Sequence, residues 1–156
     1  MSVLKGLTVL QVGAGLGAAV CGRIFADVGA DVISYEPAQG TPIADHLNGG
    51  KTIVTELPRR AEVVVVEGGP AALASKRWDL DTIRGHYPNA AIIYISPFGQ
   101  TGPDADKPAT DLTLFCASAI ARCLTGQVDD LSEAPLRAVG EQSAFIGGLA
   151  ASCAGM

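Results

Sequence analysis

The chain has 156 residues, enough for one domain with its own core, and 48% of them are hydrophobic while only 17% are charged. Its formal net charge is −5 without a cluster of Lys or Arg, so we expect no nucleic-acid partner. No apolar run reaches the roughly 18 residues that cross a bilayer, and the N-terminus lacks the layout of a signal peptide. These absences predict a cytoplasmic protein with no membrane partner.

The first 37 residues predict a strand, a helix and a second strand. Residues 7–12 are mostly aliphatic and are followed by glycine, which is typical of a buried strand. Residues 14–28 place apolar side chains at helical spacing and stop at Gly29. Residues 31–35 form the second strand, which Pro37 ends. Three such elements within about thirty residues indicate a parallel βαβ unit.

The rest of the chain continues the alternation. We expect, in chain order, a loop at 38–51, a buried strand at 61–68, helices at 70–76 and 79–88, a buried strand at 90–96, a loop at 97–108, and helices at 109–124 and 142–155. Asp79 or Asp81 is the expected N-cap of the second of these helices. The pattern predicts the α/β class, with a Rossmann-like open, mainly parallel sheet and helices on both faces.

Cysteine and histidine spacing gives no metal site. The four cysteines form no C-x-x-C pair, and the chain has only two histidines. We therefore expect no metal cofactor and interpret the cysteines as buried, reduced thiols.

The turn after the first strand allows two interpretations. Its spacing, Gly13-x-Gly15-x-x-Ala18, is that of a dinucleotide-binding turn, and Glu36 stands where a ribose-binding carboxylate would lie. Alternatively, small residues at these places only let the first helix pack closely on the sheet. This stretch alone does not choose between NAD binding and packing.

Longer stretches carry a family resemblance. They are "ADVGADVISYEP" (26–37), "LNGGKT" (47–52), "AEVVVVEG" (61–68) and "PNAAIIYISPFGQTGPDADKPATD" (88–111). In this order they resemble family III CoA-transferases, which include formyl-CoA and carnitine CoA-transferases and the related α-methylacyl-CoA racemases. The resemblance implies that residues 1–156 are a single α/β domain, equivalent to the N-terminal part of that family's large domain. The small domain and the returning C-terminal segment would then be absent, and the chain would be a fragment or a shortened relative.

The resemblance also implies a reaction. Family members move CoA between carboxylic acids, with an aspartate carboxylate attacking the acyl-CoA thioester. Counted from Arg137, the family aspartate falls on Ala144, which has no nucleophile, and Glu141 is the nearby acidic residue that could replace it. The racemase branch needs a histidine where this chain has Thr110, so racemase chemistry is not supported. Asp111 matches the family and is expected to cap a helix that starts at 112–113.

The coenzyme would contact a set of residues that match the family's binding positions. They are Gly15, Leu16, Asn48, Lys51, Lys76, Arg77, Phe98 and Gly99. Cations suit the phosphates of CoA, but a solvated lysine and ordinary turn geometry are the alternative roles. The match of Lys76 and Arg77 is loose, because compared with the family pattern this chain lacks a helix after Lys51.

We therefore expect a protein that handles acyl-CoA and a carboxylic acid, as a homodimer or together with the missing part of the enzyme. The apolar last helix suits such an interface. A non-catalytic assembly module and an NAD-binding Rossmann domain are the alternatives.

Overall fold

The computed structural model describes residues 2–126, 129–130, 132–134, 136 and 138–156, with Thr125 described by its backbone alone. Its strands are β1 (Thr8–Val12), β2 (Asp31–Tyr35), β3 (Thr52–Val54), β4 (Val63–Glu67) and β5 (Ala91–Ile95). All pairings are parallel, in the order β3-β2-β1-β4-β5. The predicted α/β class is thus confirmed. The strand order reverses between β1 and β4, the place where open parallel sheets form a ligand crevice.

Helices cover both faces of this sheet. They are α1 (Leu16–Asp27), α2 (Pro42–Asn48), α3 (Pro70–Ser75), α4 (Leu80–His86), α5 (Asp111–Ala117), α6 (Ile120–Thr125) and α7 (Gln142–Gly155). The sheet has a hydrophobic core on each face. Because side chains alternate along a strand, Val9 of β1 packs in one core and Leu10 in the other. Phe25 of α1 is fully buried in the core with Val9, and Ile83 of α4 is fully buried in the core with Leu10. Burying a side chain of this size contributes about 1.5–3 kcal/mol.

Helix α7 packs against α1 and β5. Gly148 permits the close approach, because a Cβ there would lie 2.7 Å from the Cβ of Val20. The bounds predicted for α7 are those observed. Among the described residues, none of the helices combines the length and the hydropathy needed to cross a membrane.

The predicted loop at 38–51 is wrong, because it contains α2. The Thr41 hydroxyl accepts a hydrogen bond from the Ala44 N–H at 3.2 Å, and Pro42 occupies the first helical turn. The short edge strand β3 then pairs with β2 and was not predicted either.

The predicted helix at 109–124 is broken in two. Ala119 adopts a left-handed conformation with φ of 62°, and this residue separates α5 from α6. The sequence predicted that Asp111 caps its own helix, and this prediction is wrong. The cap is Thr110, whose hydroxyl accepts a hydrogen bond from the Thr113 N–H. In α4, by contrast, Asp79 is the N-cap, one of the two predicted candidates.

The four cysteines are free thiols, but only Cys21 is buried. The expectation of burial is therefore wrong for the other three, Cys116, Cys123 and Cys153. They lie on α5, α6 and α7, and each is exposed.

Candidate functional site

The N-terminus of α1 binds a carboxylate of the chain itself. Glu67, the last residue of β4, accepts a hydrogen bond from the Ala18 N–H at 2.7 Å and another from the Gly17 N–H. A Cβ on Gly15 would overlap the Glu67 side chain, which explains the glycine at this turn. The groups that would hold a dinucleotide pyrophosphate thus hold Glu67 instead.

Burial raises the pKa of Glu67, while its two backbone hydrogen bonds act in the opposite direction. Glu67 therefore binds a proton more readily than an exposed glutamate does. A half-buried carboxyl with a raised pKa, beside a cavity, is a frequent feature of functional sites.

A cavity of about 790 Å³ opens beside Glu67, at the carboxyl ends of β4 and β5. Helices α5 and α7 form its other walls. We call it the carboxylate pocket, because three acidic residues line it among apolar ones. Residues of its wall include Leu16, Glu67, Phe98, Asp111, Glu141 and Ala144.

Ala144 lies in the wall of the carboxylate pocket, close to Glu67. A Cβ placed on Gly17 would lie 3.3 Å from both the Glu67 Oε2 and the Ala144 backbone oxygen. The two atoms are therefore at most twice that distance apart. The position where the resemblance predicts a nucleophile thus faces this cavity, but its methyl group cannot attack a thioester.

Asp111 connects α5 to α7 at the same cavity. Its carboxylate accepts hydrogen bonds from the Ser143 N–H, at 2.7 Å, and from the Ser143 hydroxyl. Since Ser143 is in the first turn of α7, Asp111 caps that helix rather than its own.

A second cavity, of about 820 Å³, lies at the carboxyl end of β2. We call it the cationic cavity. Its walls include Tyr35, Glu36, Lys76, Arg77, Trp78 and His86. The Tyr35 and Trp78 rings are 5.9 Å apart at a 58° angle, and Lys76 and Arg77 are both exposed at the cavity's edge.

The eight predicted contact residues fall into three groups. Leu16 and Phe98 line the carboxylate pocket, and Gly15 adjoins it through Glu67. Lys76 and Arg77 line the cationic cavity. The other three, Asn48, Lys51 and Gly99, line neither cavity.

Lys51 makes contacts within the chain. Its ammonium donates hydrogen bonds to the Gln11 Oε1 at 2.7 Å and to the Ala19 carbonyl at 2.8 Å. Burial, with a smaller repulsion from Arg23, lowers the pKa of Lys51 to about 8. Lys51 thus ties α1 to β1 from the loop before β3.

Asn48 and Gly99 also have roles in loop geometry. The Asn48 amide donates to the Ala38 carbonyl at 2.9 Å and closes the segment before α2. Gly99 has a φ of 87°, a conformation that favours glycine. Contacts of these residues with a ligand stay predictions.

Sequence reasoning missed several residues of both cavities. In the carboxylate pocket these are Glu67 and Ser143, and in the cationic cavity Tyr35, Trp78 and His86. The signal for Glu67 was its place at the end of a buried strand, since carboxyl ends of parallel strands carry ligand sites. Across the described residues, no three His, Cys, Asp or Glu side chains are grouped to hold a metal ion.

Comparison with curated proteins finds CoA-transferases. The chain is 26% identical over 147 residues to cinnamoyl-CoA:phenyllactate CoA-transferase of Clostridium sporogenes, covering 74% of this chain and 36% of that protein. It is 29% identical over 134 residues to succinyl-CoA–D-citramalate CoA-transferase of Chloroflexus aurantiacus, covering 67% and 33%. The chain therefore spans about a third of the length of these relatives.

Solved structures share the fold. A CAIB/BAIF family protein from Brucella suis superposes with a TM-score of 0.78 at 22% identity, covering 98% of this chain and 48% of that one. A hypothetical protein from Mycobacterium tuberculosis gives 0.73 at 20% identity, covering 99% and 48%. Residues 45–156 match the model of CoA-transferase family III. With this match over most of its length, the chain belongs to CoA-transferase family III.

Proposed function

We propose that this chain binds acyl-CoA thioesters as part of a protein that transfers CoA between carboxylic acids. The names of its relatives support CoA transfer as the reaction class. They include both cinnamoyl-CoA and succinyl-CoA enzymes, so the names alone do not choose an acyl group. We also propose that the transfer step is impaired in this chain.

The observation that carries the proposal is the position of Ala144. It lies in the wall of a large cavity at the carboxyl ends of the strands, beside Glu67 and near Asp111. The family resemblance assigns this position to the aspartate that attacks the thioester. A cavity retained around a missing nucleophile is what a binding-competent, impaired active site would present.

The coenzyme would span the two cavities. Lys76 and Arg77 supply positive charge for the phosphates, and the Tyr35 and Trp78 rings supply apolar surface for the adenine. β1 alone separates β2 from β4, but the cationic cavity lies on the face covered by α3 and α4 and the carboxylate pocket on the face covered by α1 and α7, so the coenzyme would cross the carboxyl edge of the sheet. The flexible arm of CoA would then carry the thioester past the Gly15 turn into the carboxylate pocket.

The NAD alternative requires a rearrangement. A pyrophosphate at the α1 N-terminus would compete with Glu67 for the N–H groups of Gly17 and Ala18. CoA bound as proposed leaves these bonds intact. For this reason we favour CoA over NAD.

A non-catalytic assembly module is the second candidate. It is favoured by the exposed apolar side chains of α7, Phe145, Ile146 and Leu149. In either case we propose that residues 1–156 act as one domain, as a homodimer or with the rest of the enzyme. The four free thiols suit the reducing cytoplasm, where we propose that the protein works.

An Ala144→Asp variant tests the proposal. We expect it to exchange labelled CoA or carboxylate with an acyl-CoA at a rate at least tenfold above the unmodified chain. Ala144→Asn is the matched control, because it has nearly the same volume but no nucleophilic carboxylate. If the Ala144→Asp variant binds CoA but shows no exchange activity, this result would contradict the impaired-transferase proposal and favour the assembly module.

A further inference from the structure

We propose that a second copy of this chain pairs with the open edge of β5, so that two five-stranded sheets join across a two-fold axis. Of the assemblies proposed above, this selects the homodimer and places its interface. The inference goes beyond the proposed function, because the pairing does not depend on whether the chain binds CoA.

The backbone of β5 is satisfied on one side only. The strand ends the sheet and pairs in parallel with β4. The Ala91 N–H donates to the Glu62 carbonyl at 2.9 Å, so Ala91 and every second residue after it point their backbone groups toward β4. Ile92 and Tyr94 alternate with them and point their N–H and carbonyl groups outward. Across the described chain, no hydrogen-bond partner reaches these outward groups.

β5 also lacks the features that keep an edge strand unpaired. Sheet edges are commonly protected by a charged side chain, a proline or a very short strand. β5 has five residues, AIIYI, without a charge or a proline, and none of the five is buried. The opposite edge strand, β3, has only three residues. The sequence and exposure of β5 are therefore those of a strand that pairs with another chain.

A groove of about 510 Å³, which we call the edge groove, is lined by residues of β5 and α4. Ile92, Tyr94 and Leu80 contribute apolar surface to it, and Leu80 is 42% exposed. On the opposite face, α7 packs on β5 and exposes further apolar side chains, including Phe145 and Leu149. A second copy at this edge would remove apolar surface from water, which favours association.

A two-fold axis perpendicular to the sheet makes the two β5 strands antiparallel. With the axis at Ile93, Ile92 of one copy lies opposite Tyr94 of the other. Such a pair exchanges both of its backbone hydrogen bonds, and these are the groups that β4 leaves without a partner. The alternation along β5 therefore fits a symmetric pairing.

Charges beside the edge groove match under the same axis. Asp79 and Arg84 both line the groove, one at the start and the other in the last turn of α4. The axis reverses α4 relative to its copy, so Arg84 of one copy comes opposite Asp79 of the other, and the contact occurs twice. This self-complementarity is the reason for choosing a second copy as the partner.

Sedimentation velocity of the purified chain tests the assembly. We expect a dimer of about twice the chain mass of 15.9 kDa. Arg84→Glu brings like charges together at both contacts and should weaken the dimer at least tenfold. Arg59→Glu is the matched control, because it makes the same charge change at an exposed arginine outside the edge groove and should have no effect.

Mixing two variants tests the two-fold relation. Asp79→Lys should also weaken the dimer, because it brings like charges together in the opposite sense. An equimolar mixture of Arg84→Glu and Asp79→Lys should regain the dimer, since every facing pair in the mixed dimer again has opposite charges. Asp79 also caps α4, so far-UV circular dichroism would verify that each variant is folded.

A proline tests the strand pairing independently of α4. Ile92→Pro removes an N–H that points away from β4, so it leaves the hydrogen bonds between β4 and β5 in place. Ile92→Ala is the matched control, because it shortens the same side chain and retains the N–H. We expect the proline variant to weaken the dimer at least tenfold more than the alanine variant does.

Three results would overturn the pairing. A monomeric chain would do so, and CoA binding by that monomer would leave the proposed function standing. A dimer that resists both Arg84→Glu and Ile92→Pro would place the interface elsewhere. Folded Arg84→Glu and Asp79→Lys variants that stay monomeric when mixed would contradict the two-fold axis.

Discussion

Lys51 places an ammonium group between α1 and the sheet, where burial lowers its pKa from 10.5 to about 8. Between these two values the unfolded chain binds more protons at this residue than the folded chain does. The contribution of Lys51 to the free energy of unfolding should therefore rise with pH across this window.

Urea denaturation near pH 8 and near pH 10.5 would measure this effect. We expect the stability of the unmodified chain, relative to a Lys51→Met variant, to increase over the window. Lys5→Met, at an exposed lysine, should show no such change and is the control. A difference that stays flat or falls with pH would contradict the burial of the Lys51 ammonium.

Replacing glycine by alanine should have opposite effects on the free energy of unfolding at Gly15 and at Gly85. A Cβ on Gly15 would overlap the Glu67 side chain, so Gly15→Ala should cost about 1–3 kcal/mol. A Cβ on Gly85, inside α4, would meet no atom within 4 Å, so Gly85→Ala should add about 0.5–1 kcal/mol through helix propensity. Equal effects of the two substitutions in urea denaturation would show that Glu67 does not lie against Gly15.

The role of Gly15 was predictable only in part. Its spacing showed that something approaches the backbone closely at this turn. Because a pyrophosphate and an internal carboxylate need the same small residue and the same N–H groups, the spacing could not identify the occupant. Contact with Glu67, 52 positions along the chain, follows only from the pairing of β1 with β4.

At the scale of elements, the start of α7 depends on a residue of α5. Asp111 accepts the Ser143 N–H, one of the first amides of α7, which has no partner inside its own helix. Asp111→Ala should lower the free energy of unfolding by about 1 kcal/mol.

Amide hydrogen exchange would localise this loss. We expect faster exchange in the first turn of α7 in the Asp111→Ala variant, with the middle of β1 unchanged. The exposed Glu56→Ala substitution is the control and should alter neither. Unchanged exchange at Ser143 would rule out Asp111 as the cap.

Strands β4 and β5 were both predicted because they are continuous apolar runs. The predicted burial is confirmed for β4 but wrong for β5, which lies at the edge of the sheet and has no fully buried residue. β3 was missed because it is a three-residue edge strand with two exposed residues, held by β2 rather than by its own pattern. The break at Ala119 was missed because alanine is a strong helix former and carries no signal for a left-handed conformation.

At the scale of the whole molecule, the sheet determines which residues meet. Sequence motifs implied one coenzyme site, but the order of the strands places its predicted residues in two separate cavities and outside both. Lys76 and Arg77 lie near the end of β2, while Leu16 and Phe98 lie near β4 and β5. The sequence predicted the α/β class and the parallel sheet. It did not predict which charged residues line which cavity, because this depends on the conformation of the loops.

Calorimetric titration of the purified chain with CoA, and with NAD in parallel, tests the central claim most directly. We predict saturable CoA binding with Kd below about 100 µM, equivalent to about −5.5 kcal/mol, and no comparable NAD binding. A Lys76→Ala, Arg77→Ala double variant should weaken CoA binding at least tenfold, whereas Lys5→Ala should not. Binding of NAD in place of CoA, or of neither, would contradict the assignment of a coenzyme A site to this chain.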